Sequence, residues 1–97
     1  MMNSEIMIVV DIECKTQHYD TVLDAIYKCA RDSVLEKGCK RYDVYPDLNR
    51  SKNITLIEMW SDLGTLEQHK TLPHYLDLQT SLEDKVNAVN IRTARTF

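Results

Sequence analysis

Apolar positions along this chain follow two rhythms, a period of two and a period near 3.6, and they alternate in a readable order. Residues 6–14 (IMIVVDIEC) are dense in Ile and Val and predict a first strand. Thr16 then offers a hydroxyl suited to capping free N–H groups. Val22, Leu23, Ile26, Cys29, Ala30 and Val34 recur at helical spacing, which predicts an amphipathic helix of about five turns. Gly38, just past Lys37, is expected to stop it as a left-handed C-terminal residue. Residues 39–46 (CKRYDVYP) alternate and predict a second strand ended by Pro46. Asp47 to Lys52 (DLNRSK) is turn chemistry, and residues 54–60 (ITLIEMW) predict a third strand, so the two form a hairpin. Asp62 or Ser61 caps a short helix through about Lys70. Leu72-Pro73 breaks it, because a residue before proline avoids helical geometry. Pro73 can open another helix, to about Lys85, with Tyr75, Leu78 and Leu82 on one side. Residues 86–94 (VNAVNIRTA) alternate again as a last strand. The order is βαββαβ with its second helix split, an α+β ferredoxin-like arrangement with helices on one sheet face. The other face would carry apolar side chains, and a large bare apolar patch is unusual on a monomer. A homodimer, sheet against sheet, is therefore expected. Without repeats or an internal boundary, residues 1–97 read as one domain.

Composition narrows the classes of function. A chain of 97 residues buries a modest fraction of its surface and often pairs with a second copy. Twelve basic against fifteen acidic side chains give a net charge of −3, which argues against nucleic acid or an anionic membrane as partner. The run Ile6 to Val10 is too short to span a bilayer, and with Glu5 before it and no basic leader it is not expected to be a signal peptide. Cys14, Cys29 and Cys39 form no C-x-x-C and read as reduced thiols, hence a cytoplasmic protein. No ligand spacing for zinc is visible, so no metal is expected. Phosphate-binding glycine loops and a serine-hydrolase elbow are absent from the sequence.

The chemistry-bearing residues concentrate between Ile57 and Tyr75. Glu58 and Trp60 stand two apart on one strand and so share a face. Leu63, Leu66 and His69 follow at three-residue steps, which points His69 towards the interior with the leucines. His74 and Tyr75 lie just beyond the proline break. One cavity between sheet and helices could thus be lined by an indole, a carboxylate, an imidazole and a phenol. Duller readings stand beside this one. A lone tryptophan is commonly core. Glu58 could face a partner chain or pair with Arg41 or Arg92. His69 could be a hydrogen-bonded core histidine, and His74 a solvated one. Asp11, Glu13 and Asp43 read as a solvated edge or dimer contact, and the Lys/Arg cluster from Lys28 to Arg41 as ordinary surface.

The stretch Leu35-Glu36-Lys37-Gly38-Cys39-Lys40-Arg41-Tyr42-Asp43-Val44 resembles the "EEGCxxYDV" segment of antibiotic biosynthesis monooxygenase (ABM) domains. Ile57-Glu58-Met59-Trp60, then Leu66-Glu67-Gln68-His69, then Pro73-His74-Tyr75 is similar to that family's "EhW … LxxH … sPH[FY]" core, and Val89-Asn90-Ile91-Arg92 to its last strand in quinol monooxygenases. The resemblance implies a ferredoxin-like dimer whose sheets pack into an α/β barrel. It also implies one of three activities. One branch oxidises hydroquinones with dioxygen and no bound cofactor. A second isomerises a phosphorylated autoinducer-2 sugar, and His69 to Tyr75 (HKTLPHY) resembles its "HKTTPHY". A third degrades haem, but matching that pattern puts His69 at its tryptophan and Gln79 at its haem ligand, so the haem set is missing.

For the first activity the candidate base towards a small aromatic diol is His69 or His74, with Trp60, Tyr75 and Leu66 as walls and Tyr42 or Asn90 as hydrogen-bond donors to the developing oxyanion. For the second, His69 and Glu58 are the candidate proton shuttles, and Lys70 and Arg92 the candidate cations for the phosphate. A non-catalytic dimeric small-molecule-binding module is the remaining alternative.

Overall fold

The alternation at the start of the chain becomes a two-faced strand in the computed structural model, which describes residues 4–96. β1 (Ile6–Cys14) buries Ile6, Ile8, Val10, Ile12 and Cys14 on one face and leaves Asp11 and Glu13 exposed on the other. β2 (Cys39–Pro46) and β3 (Asn53–Trp60) form the expected hairpin. Asp47 Oδ1 accepts the N–H groups of Asn49 and Arg50, both at 2.8 Å, which fixes its turn. β4 (Val86–Arg95) runs along the free side of β1, so the antiparallel sheet has the order β2-β3-β1-β4.

α1 (Tyr19–Ser33), α2 (Leu63–His69) and α3 (Pro73–Leu82) supply the other half of the core. Val22, Ile26 and Cys29 of α1, Leu66 of α2 and Leu78 of α3 pack with the buried β1 residues and with Ile54, Leu56 and Trp60 of β3. This is the α+β ferredoxin-like βαββαβ fold with its second helix split. The opposite sheet face carries Met7, Val9, Ile57 and Met59, all half-buried. Among the described residues no helix is long and apolar enough to cross a membrane.

Several local expectations change. Thr16 lies inside a 3₁₀ turn (Thr16–His18), and neither cap position there, Lys15 or His18, carries a side-chain cap. α1 ends at Ser33, four residues short of Lys37, because the chain turns: Glu36 N–H donates to Ser33 C=O at 3.0 Å and Cys39 N–H to Glu36 C=O at 3.1 Å. Gly38 is not left-handed, since no described glycine has positive φ. Its requirement is space: a Cβ there would overlap the side chain of Thr65. α3 stops at Leu82 rather than near Lys85. The turn after it passes through Asp84 at φ 61°, a left-handed position that Asp tolerates better than most residues. Leu63 is 49% exposed and does not share the inward direction of Leu66 and His69.

The break between the last two helices decides where the two histidines point. Asp62 Oδ1 accepts the Thr65 N–H at 2.8 Å and caps α2. Leu72 is extended, as a residue before proline should be, and Pro73 is the first residue of α3. The chain therefore turns sharply between His69 and His74, and both imidazoles can reach one neighbour.

Candidate functional site

A hollow of about 460 Å³ lies between the sheet and the helices. Its floor is Ile8, Val10 and Leu56 with Tyr42 and Glu58; Leu66, His69, Tyr75 and Leu78 close it from the helix side. It exists because β4 is exposed along almost its whole length, so the space above that side of the sheet is left unfilled. Val89, Ile91 and Thr93 of β4 line it through the register, since they pair with Ile12, Val10 and Ile8 and share their face.

Glu58 sits on the central part of the floor, paired across the ladder with Ile8 on one side and Tyr42 on the other. It is buried, and its Oε1 accepts the Trp60 indole N–H at 2.9 Å. The Trp60 ring lies 4.4 Å from the His69 ring, tilted by 38°, and Tyr75 meets His69 edge-on at 5.2 Å. His69 Nδ1 is 2.6 Å from Glu36 Oε2, and His74 Nε2 lies at the same distance from the same oxygen. A carboxylate only accepts, so each contacting ring nitrogen carries a proton. Among the described residues no protein group bonds His69 Nε2, and no buried side-chain nitrogen or oxygen is left unpartnered; Nε2 therefore opens to the hollow that His69 lines.

Burial lowers the His69 pKa, against the raising effect of Glu36, so the ring is neutral near pH 7 and can take a proton at Nε2. Burial also holds the Tyr42 hydroxyl protonated; it donates to Cys29 Sγ at 3.7 Å. For Glu58, burial raises the pKa from 4.5 to about 7, partly offset by the Trp60 N–H. The folded state thus holds this proton more tightly than the unfolded chain. Its stabilising contribution is complete below pH 4.5 and is lost as the pH climbs to about 7. At about 1.4 kcal/mol per tenfold in proton affinity, the loss is roughly 3 kcal/mol. Glu58→Gln keeps an oxygen for the indole and has no charge to bury. Urea unfolding of both proteins should show the variant gaining roughly 3 kcal/mol on wild type between about pH 4 and pH 8. Parallel stability curves would mean the carboxyl is not strained by its surroundings.

Of the residues singled out in the sequence, Glu58, Leu66, His69, Tyr75 and Tyr42 come together on the hollow, with Lys70 at its edge. Trp60 does not line it: the indole is fully buried and acts from behind, on Glu58 and His69. His74 is also absent from the wall, and reaches the site only through the Glu36 oxygen that it shares with His69. Asn90 pairs with Asp11 and Arg92 with Val9, which puts both on the opposite sheet face, so neither reaches the hollow. The residue that sequence reasoning missed is Glu36. It lies in the turn after α1, where no periodicity gives direction; its only signal was its place two residues before Gly38 in the family-like segment.

Glu36, His69 and His74 present ligand atoms within 4.8 Å of one another. Divalent cations take such donor sets. Here, however, the two 2.6 Å contacts are hydrogen bonds that already use the ring nitrogens, and the cluster is read as a hydrogen-bonded one.

Known proteins share this fold. A Pseudomonas aeruginosa crystal structure is similar with a TM-score of 0.93 at 24% identity, over 100% of this chain and 98% of that one. A Nitrosomonas europaea structure, provisionally described as an antibiotic biosynthesis monooxygenase, is similar with a TM-score of 0.87 at 19% identity, over 92% and 95%. One from Deinococcus radiodurans with the same provisional description gives 0.88 at 20%, over 95% and 92%. At such identities the likeness is one of fold. No curated protein matches the sequence. The sequence model described as antibiotic biosynthesis monooxygenase matches residues 5–81, which hold three of the four strands and the helices up to the last residue of α3, and the chain belongs to that family.

Proposed function

We propose that this chain is a monooxygenase that needs no bound cofactor and oxidises a small aromatic diol with dioxygen. The observation that carries the reading is a neutral imidazole turned into a mostly apolar hollow of about 460 Å³. His69 Nε2 takes the proton of a substrate hydroxyl, and the electron pair stays on the substrate oxygen. The anion gives one electron to dioxygen, and the two radicals combine to form a carbon–oxygen bond at the ring. The O–O bond then breaks with loss of water, leaving a quinone that carries one atom of the dioxygen. Substrate supplies the electrons, and the site supplies the base and a sheltered, apolar surround.

The charges at the hollow favour an uncharged diol over a phosphorylated sugar. Among the described residues its lining holds Glu58, Glu83 and Asp84 against Lys70, and Arg92 faces the other way. A phosphate would meet more negative than positive charge there. The rest of the reading comes from the fold. A second copy covers the face that bears Met7, Val9, Ile57 and Met59, residues 1–97 act as one domain, and the free thiols of Cys14, Cys29 and Cys39 suit a cytoplasmic setting.

The test is an oxygen electrode charged with purified protein and a panel of hydroquinones. Protein-dependent uptake, with one oxygen atom of ¹⁸O₂ recovered in the product, is expected. Silence across the panel, with wash-in of deuterium at substrate carbon on offering a phosphorylated keto-sugar, would replace oxygenation by isomerisation. Binding with neither reaction would make the chain a binding module.

A further inference from the structure

The geometry points to Glu36 as the positioning residue of this site, fixing His69 with its proton on Nδ1 and the lone pair of Nε2 turned into the hollow. The inference deepens the oxygenase reading and rests on it for its use.

Three of the groups around the His69 ring do different things. Trp60 at 4.4 Å and Tyr75 at 5.2 Å fix the plane of the ring. Neither bonds a ring nitrogen, so neither chooses which nitrogen keeps the proton. Glu36 Oε2 does, at 2.6 Å from Nδ1, because a carboxylate accepts and cannot donate. A buried histidine with the opposite tautomer would present an N–H to the substrate and could not act as base.

The carboxylate is itself held. The Glu36 backbone is pinned at both its polar groups, N–H to Ser33 C=O at 3.0 Å and C=O from Cys39 N–H at 3.1 Å. Gly38 C=O accepts the Ser61 N–H at 2.8 Å, and the close approach of Gly38 to Thr65 seats the start of α2 on the same turn. His74 also donates to Oε2, so that one oxygen serves two rings and cannot swing to water without losing both. The charge matters as well as the direction. When Nε2 accepts the substrate proton, the substrate O–H bond breaks, the Nε2–H bond forms and the Nδ1 proton stays in place. The resulting imidazolium lies against a largely sheltered carboxylate, where a charge-assisted hydrogen bond is strong.

Nitrogen-15 NMR of the histidine rings in the wild-type protein, at a pH where His69 is neutral, reads the assignment without any substrate. His69 is expected with Nδ1 protonated and Nε2 bare; the reverse pattern overturns the proposal, whatever the reaction proves to be. In Glu36→Ala the ring should revert to a mixture of tautomers, and with an active diol kcat should fall about 10²-fold or more while KM moves only a few-fold. Unchanged tautomer in that variant also overturns it. If the Ala variant does not fold, Glu36→Gln keeps an acceptor oxygen without the charge, and is expected to retain the tautomer but lose turnover; wild-type turnover in it counts against the charge. Zn²⁺ titration of wild type closes the remaining route. Stoichiometric binding that depends on Glu36 would need the Nδ1 lone pair, and would replace the hydrogen-bonded arrangement by a metal site.

Discussion

His69→Asn should lower oxygen uptake with an active diol by about 10²–10⁴-fold, the usual contribution of a general base, with the loss in kcat rather than KM. Asn is the better test than Ala. Its amide N–H can stand near the position of Nδ1 and keep a hydrogen bond to Glu36 Oε2, whereas Ala leaves that carboxylate without its inner donor. His69 is buried against Trp60 and Tyr75, so any shortening also opens space in the core. That space provides the control. Imidazole added to the medium can enter the hollow beside the shortened side chain, and partial recovery of uptake would show that a missing base, rather than a collapsed site, caused the loss. Near-wild-type uptake in His69→Asn would remove His69 from the reaction and leave Glu58 as the ionisable group facing the floor of the hollow.

The backbone plan is legible because it is written in periodicity. Ile6, Ile8, Val10 and Ile12 alternate with their neighbours, and the helix stripe through Val22, Ile26 and Cys29 repeats at the right interval; both are buried faces. Glu58 and Trp60 share a face for the same reason. Parity, though, gives only relative direction. Val89, Asn90 and Ile91 alternate correctly, but which of them meets the hollow depends on the register against β1, and a shift of one residue would exchange them. Parity alone therefore cannot say which face Asn90 and Arg92 occupy. It misplaces Trp60 by depth, since the same parity that sends an indole inward does not say whether it stops at a cavity wall or behind it. Gly38 is special, but not for the backbone freedom that its place after a helical stripe suggests. Its backbone is ordinary, and the constraint comes from Thr65 on another element. Glu36 is legible least of all. A turn residue has no period, and its partners His69 and His74 lie 33 and 38 positions away along the chain.

Trp60→Ala is expected to cost about 3–5 kcal/mol of folding stability, the range for deleting a large aromatic side chain from a close-packed core. The indole is fully buried, so the deletion leaves a cavity that its neighbours fill only in part. It also takes away the N–H that Glu58 Oε1 accepts at 2.9 Å and the ring against which His69 stacks. Trp60→Phe separates these effects. Phe retains most of the apolar contact and loses the N–H, so its cost should depend on the state of Glu58. The indole hydrogen bond lowers the Glu58 pKa; without it the carboxyl rises above its wild-type value of about 7. At acid pH, with Glu58 protonated, Phe is penalised little beyond its smaller volume. Above neutrality the buried carboxylate is left without that donor, and the penalty grows by an amount on the order of 1–3 kcal/mol. Urea midpoints for wild type and Trp60→Phe should therefore diverge as pH rises. A Phe penalty independent of pH would assign Trp60 to packing alone, and would detach the core of this domain from the ionisation of the group on the floor of its hollow.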